Sequence, residues 1–156
     1  MYQAKVEAEF CAAHKIIGQQ GKCNRLHGHN WKIEVVVSNN KLNRLGMVID
    51  FDELEELTKK VIEPLDHQNL NELKPFLNSN PTAEIIAEYL YLELEKLIDK
   101  LNLQEVRVWE TSTTWASYSN SKQNCGFNKS KIHNPKSKIQ LMEVRNKNER
   151  MQCAEE

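Results

Sequence analysis

The chain has 156 residues, 40% hydrophobic and 28% charged, with a formal net charge of −1. This is one domain's worth of chain with enough apolar content for a core, and its near-neutral charge excludes a dedicated nucleic-acid binder and a polybasic membrane anchor. No apolar run approaches the ~18 residues that span a bilayer, and the N-terminal MYQAKVEAEF lacks the basic and apolar regions of a signal peptide, so a cytoplasmic location is expected.

In chain order, residues 5–14 (KVEAEFCAAH) alternate as a half-buried strand does. Val6, Ala8, Phe10, Ala12 and His14 share one face, while Lys5, Glu7 and Glu9 share the other. Gly18 and Gly21 mark a loop. The alternation returns from His27, with His29, Trp31, Ile33, Val35 and Val37 on its side and Lys32 and Glu34 opposite. Turn residues cluster between Asn39 and Gly46. Asp50 with Glu53 then reads as a capping box opening a helix that carries Leu54, Leu57, Val61 and Leu65 on its inner face. The polar loop LDHQNLN, residues 65–71, ends it. Asn80 as cap and Pro81 as first helical residue open a longer helix reaching about Leu101. Strands over 105–111 (EVRVWET) and 115–119 (WASYS) follow. Two strands, two helices and two strands predict an α+β protein with an antiparallel sheet and the helices on one face.

From Asn120 the composition turns to Asn, Ser and Lys. Residues 120–156 hold eight Lys/Arg against four Asp/Glu and few apolar residues before IQLMEV at 139–144. A polar, net basic, partly disordered extension is expected there, separate from a catalytic domain over 1–119.

The side chains able to do chemistry gather at strand ends. His27 and His29, two apart on a strand, face the same way and can grip one ion. His14, ending a neighbouring strand on the matching face, can supply a third nitrogen. Three neutral imidazoles suit zinc and leave its fourth tetrahedral position open, the catalytic arrangement. The alternative is three unrelated histidines in core hydrogen bonds, which the third matching histidine disfavours. Cys23 lies four residues before His27 in CNRLHGH. Near a cation its thiol can ionise and act as base or nucleophile; it could equally close the metal as a fourth ligand, or stand by. Cys11, Cys125 and Cys153 form no C-x-x-C pair with it or with one another, and disulfides are not expected in a cytosolic chain.

Two further groups stand out. Asp66–His67 can form a proton-transfer pair, although a surface Asp–His pair is the commoner outcome for such a dipeptide. Glu110 continues the apolar face of Val106 and Val108. A carboxylate there requires paired donors, which the two parallel N–H groups of a cyclic guanidine supply; a sheet-edge salt bridge is the simpler alternative.

Taken together, FCAAH, CNRLHGH, VIDFDEL, LDHQNLN, NPTAE and VWETSTTWASY resemble the 6-pyruvoyltetrahydropterin synthase and 6-carboxytetrahydropterin synthase family over residues 3 to about 119. Within it, CNRLHGH and VWETSTTWASY look most like the 6-carboxytetrahydropterin synthases that feed queuosine and other deazapurines. The resemblance implies the tunnelling fold, a four-stranded antiparallel sheet with two helices on one face, with subunits assembled as a hexamer of two trimers. It implies a Zn2+ ion held by His14, His27 and His29, Cys23 as catalytic base, and Asp66 with His67 as a second proton-handling unit. It makes Glu110 the pterin anchor, helped by Thr82, Glu84 and Thr111. The implied reaction converts the small-molecule substrate 7,8-dihydroneopterin triphosphate to 6-carboxytetrahydropterin, acetaldehyde and triphosphate; without carbon–carbon cleavage the product would be 6-pyruvoyltetrahydropterin. A zinc-binding member of the fold without turnover is the reading from a different class.

Overall fold

The computed structural model describes residues 1–98 and 101–120. Two long strands, β1 (Tyr2–His14) and β2 (His27–Asn39), form an antiparallel hairpin whose register sets Val6 opposite Val35, Phe10 opposite Trp31 and His14 opposite His27. After helix α1 (Phe51–Ile62) and a 3-10 turn comes the two-residue strand β3 (Gln68–Asn69), which pairs parallel to β1. Helix α2 (Ala83–Leu97), strand β4 (Asn102–Trp109) and strand β5 (Trp115–Tyr118) complete the order β3-β1-β2-β4-β5.

The α+β class is as expected, but the sheet has five strands and is mixed. The fifth, β3, falls in the segment read as a polar loop, too short to show an alternating pattern. Helix α2 also differs at both ends. It ends at Leu97 rather than Leu101, and its cap is Thr82, whose hydroxyl accepts from the Ile85 N–H. Asn80 cannot serve as that cap because its side-chain amide is committed to the backbone of Ile17. Asp50 caps α1 as expected, through Asp52 N–H at 3.0 Å. The expected extension over 121–156 lies outside the described residues.

The alternation of the strands produces two unlike sheet faces. One carries Val6, Phe10, Ala12, Trp31, Ile33, Val35, Val37, Val106 and Val108, all buried. Both helices cover it, α1 through Leu54 and Val61, α2 through Ile86, Leu90 and Leu94. Each large side chain so buried contributes about 1.5–3 kcal/mol against the entropy of ordering. Two hydroxyls buried in this layer are satisfied: the Tyr91 hydroxyl donates to Leu103 carbonyl at 2.9 Å and Thr58 to Leu54 carbonyl at 2.8 Å. The other face is a charge lattice in which Glu34, nearly buried, meets Lys5, Lys32 and Arg107. Among the described residues no helix is long and apolar enough to cross a membrane.

Candidate active site

The hairpin register places the histidines. His14 and His27 are directly opposite, and His29 faces Ala12 one pleat further in, so three imidazoles converge where the apolar face ends. Their ring centroids lie 4.6, 4.9 and 5.2 Å apart. Trp31 forms the floor, edge-on to His14 at 4.9 Å and to His29 at 5.1 Å, its own N–H donating to Ala12 carbonyl.

Backbone carbonyls select the tautomers. His14 Nδ1 lies 2.8 Å from Pro81 carbonyl and His27 Nδ1 lies 2.7 Å from Arg25 carbonyl, contacts that only an N–H can make. Nε2 of each ring therefore keeps its lone pair, the orientation that a ligating histidine needs. Burial pushes His14 and His29 below the ordinary 6.5, so both are held neutral; for His14 the Pro81 bond opposes this. Nε2 of His14 and of His29 is buried without a hydrogen-bond partner. Such orphaned ring nitrogens need an explanation. A metal ion supplies one: one donor atom each from His14, His27, His29 and Glu110 lies within 4.8 Å of the others. A donor set of three imidazoles and a carboxylate fits zinc.

Glu110 follows the last residue of β4 and opens a tight turn, its N–H donating to Thr114 carbonyl at 3.0 Å. Its Oε1 stands 3.3 Å from His14 Nε2 and 3.5 Å from His29 Nε2. It therefore lies against the histidines as well as facing a cavity of about 310 Å³ that His14, Cys23, Thr82, Glu84 and Trp115 also line. Thr82 hydroxyl oxygen caps α2, leaving its proton free to donate. Thr111 is not among the lining residues; its hydroxyl is bound to Thr114 at 2.6 Å and accepts the Thr113 and Thr114 N–H groups.

Cys23 sits in a 3-10 turn, Lys22–Asn24, held by the Ile16 N–H on its carbonyl at 2.7 Å. The segment after β1 that supplies Ile16 is itself clamped by two side-chain amides. Asn71 accepts from Lys15 N–H and donates to Lys15 carbonyl, and Asn80 does the same for Ile17. These two asparagines, the Pro81 carbonyl and the Trp31 floor are site residues that sequence reasoning missed. Asn80 and Pro81 drew notice only as a helix start, and Trp31 only as part of an apolar strand face.

Asp66 and His67 do face each other, His67 Nδ1 lying 2.8 Å from Asp66 Oδ2. His67 adopts φ 57, a left-handed conformation that folds its ring back onto its neighbour. Asp66 Oδ1 accepts the Cys11 N–H at 2.8 Å, and this bond, with His67, lowers the Asp66 pKa. Neither residue lines the Cys23 cavity; the pair sits at the β3 edge of the sheet with the His67 side chain 78% exposed.

The fold and the site define an α+β protein with a histidine–carboxylate centre able to hold a metal ion, open to a polar cavity that contains a thiol. The chain belongs to the 6-pyruvoyl tetrahydropterin synthase family, whose model matches residues 3–121. It is 33% identical to the 6-carboxy-5,6,7,8-tetrahydropterin synthase of Haemophilus influenzae, over 76% of this chain and 99% of that one. It is 34% identical to the 6-pyruvoyl tetrahydrobiopterin synthase of Drosophila melanogaster, over 70% and 74% respectively. Among solved structures, the Caenorhabditis elegans 6-pyruvoyl tetrahydropterin synthase superposes with a TM-score of 0.68 at 26% identity, covering 77% of this chain and 96% of that one.

Proposed function

We propose that the chain is a zinc-dependent lyase converting 7,8-dihydroneopterin triphosphate to 6-carboxy-5,6,7,8-tetrahydropterin, acetaldehyde and triphosphate, and that it feeds queuosine or deazapurine synthesis. The observation that carries this reading is one cavity lined by His14, Cys23 and Glu110, with His27 and His29 converging beside it. Named 6-carboxytetrahydropterin synthases among its relatives favour the carboxy product. The Drosophila relative keeps the pyruvoyl product as the second reading.

His14, His27 and His29 would hold the ion, which supplies Lewis-acid polarisation of substrate side-chain oxygens. Cys23 takes a proton from the substrate side chain as thiolate. Asp66 holds His67 Nδ1, leaving Nε2 to accept or return a second proton. Glu110 receives the two guanidine N–H groups of the pterin, with Thr82 and Glu84 beside it; Thr111 keeps the Glu110 turn in shape. In a homo-hexamer the exposed His67 of one subunit would complete the cavity of another, which accords with its position outside the cavity of its own chain.

Mass analysis of products after incubating zinc-loaded protein with 7,8-dihydroneopterin triphosphate tests the reading. Carboxytetrahydropterin with acetaldehyde is expected. Pyruvoyltetrahydropterin would transfer the chain to the second reading, and unchanged substrate with zinc bound and the fold intact would leave a binding protein.

A further inference from the structure

We propose that Lys22 and Arg25 form the seat for the substrate's triphosphate, a polyanion subsite on either side of Cys23. The inference rests on the function proposed above and deepens it by naming the residues that recognise the leaving group.

The distribution of charge along the chain is the first observation. No Asp or Glu occurs between Glu9 and Glu34, a stretch that carries Lys15, Lys22, Arg25 and Lys32. Lys32 pairs with Glu7 and Glu34. Lys22 and Arg25 are exposed, and among the described residues neither side chain has an ion-pair or hydrogen-bond partner.

The turn that carries them is the second. Lys22–Asn24 is a 3-10 turn closed by the Arg25 N–H on Lys22 carbonyl at 3.0 Å. Side chains three apart eclipse in such a turn, so both cations leave it on one side. Two like charges so placed repel unless an anion lies between them. The turn itself is fixed: the Ile16 N–H holds Cys23 carbonyl at 2.7 Å, and Arg25 carbonyl holds His27 Nδ1 at 2.7 Å. Both cations, the thiol and the His27 imidazole therefore share one short stretch of anchored backbone.

A chemical requirement is the third. Loss of triphosphate breaks the bond between the terminal side-chain carbon and its ester oxygen. The electron pair left by proton removal at the adjacent carbon becomes a carbon–carbon double bond, and the anion departs with the oxygen. Proton and leaving group come from one short side chain, so donors to the phosphate oxygens must stand close to the base. Lys22 and Arg25 flank Cys23, which lines the cavity. The cavity's carboxylates, Glu84 and Glu110, come instead from α2 and the turn after β4, and would repel a polyanion. A ligand with guanidine N–H groups at one end and phosphates at the other is thereby held in one orientation.

Equilibrium binding to the zinc-loaded Cys23→Ala chain tests the proposal without turnover. The probes are 7,8-dihydroneopterin triphosphate and 7,8-dihydroneopterin, which differ only in the triphosphate. The triphosphate is expected to bind about a hundredfold more tightly, an advantage that shrinks with added salt. Lys22→Gln and Arg25→Gln, each in that background, are expected to weaken the triphosphate about tenfold and to leave 7,8-dihydroneopterin unchanged. Lys22→Arg is expected to keep the triphosphate affinity. Full triphosphate affinity in both Gln variants would overturn the proposal. An equal loss for both compounds would overturn it too, because the two residues would then only shape the turn. Failure of the lyase reading would show separately, as triphosphate bound by the wild-type chain but unchanged in the product analysis.

Discussion

At the scale of single residues, the site depends on groups that do no chemistry themselves. Pro81 and Arg25 carbonyls choose the histidine tautomers, and Trp31 supports two of the rings from below. Asn71 and Asn80 each give one amide to both backbone groups of a partner, as a neighbouring strand would. They hold Lys15 and Ile17 on either side of Ile16, which in turn holds Cys23. Replacing Asn80 by alanine removes two hydrogen bonds at a partly exposed site, a cost of about 1 kcal/mol. Tm is expected to fall by about 4 °C. Because thiol placement is lost with the clamp, turnover is expected to fall about tenfold or more while zinc content stays at the wild-type level. Stability lost with turnover unchanged would show that the clamp does not position Cys23.

At the scale of elements, the strands were legible because their period of two separates apolar from charged side chains without help from tertiary context. Val6 to His14 and His27 to Val37 declare their buried faces, and the histidines at the ends of those faces do meet. What was not legible depends on distant partners. Asn80–Pro81 has the composition of a helix start, but Ile17, far away in the chain, takes the Asn80 amide, so Thr82 caps instead. Contact of Glu110 with His14 and His29 needs the registers of β1 on β2 and β2 on β4 together, which no local pattern contains.

The charged face of the sheet gives this scale its pH prediction. Hydrogen bonds from Lys5, at 2.7 Å, and Lys32, at 2.9 Å, hold the Glu7 carboxyl down to about 2 from its ordinary 4.5. A depressed carboxyl pKa stabilises the fold above the unfolded value and loses that contribution as pH falls from 4.5 toward 2. Glu7→Gln should therefore flatten the acid side of the stability curve in that window, and less so at high salt, because the groups are exposed. An unchanged slope between wild type and variant would show that these pairs do not act in solution.

For the molecule as a whole, a conventional sheet-and-helix core carries its polar machinery at the end where β1 stops and β2 starts. The helices contribute there as well: Thr82 and Glu84 come from the start of α2, and Pro81 immediately precedes it. Family membership and this geometry agree on a tetrahydropterin-synthase framework. The proposed chemistry further requires that Cys23 be a base beside the metal and not one of its ligands. Bound zinc measured beside turnover in Cys23→Ala decides between those roles. Zinc retained at the wild-type level with turnover lost is the expected result; zinc lost together with turnover would make Cys23 a ligand and contradict the three-histidine centre, and turnover retained would remove Cys23 from the chemistry.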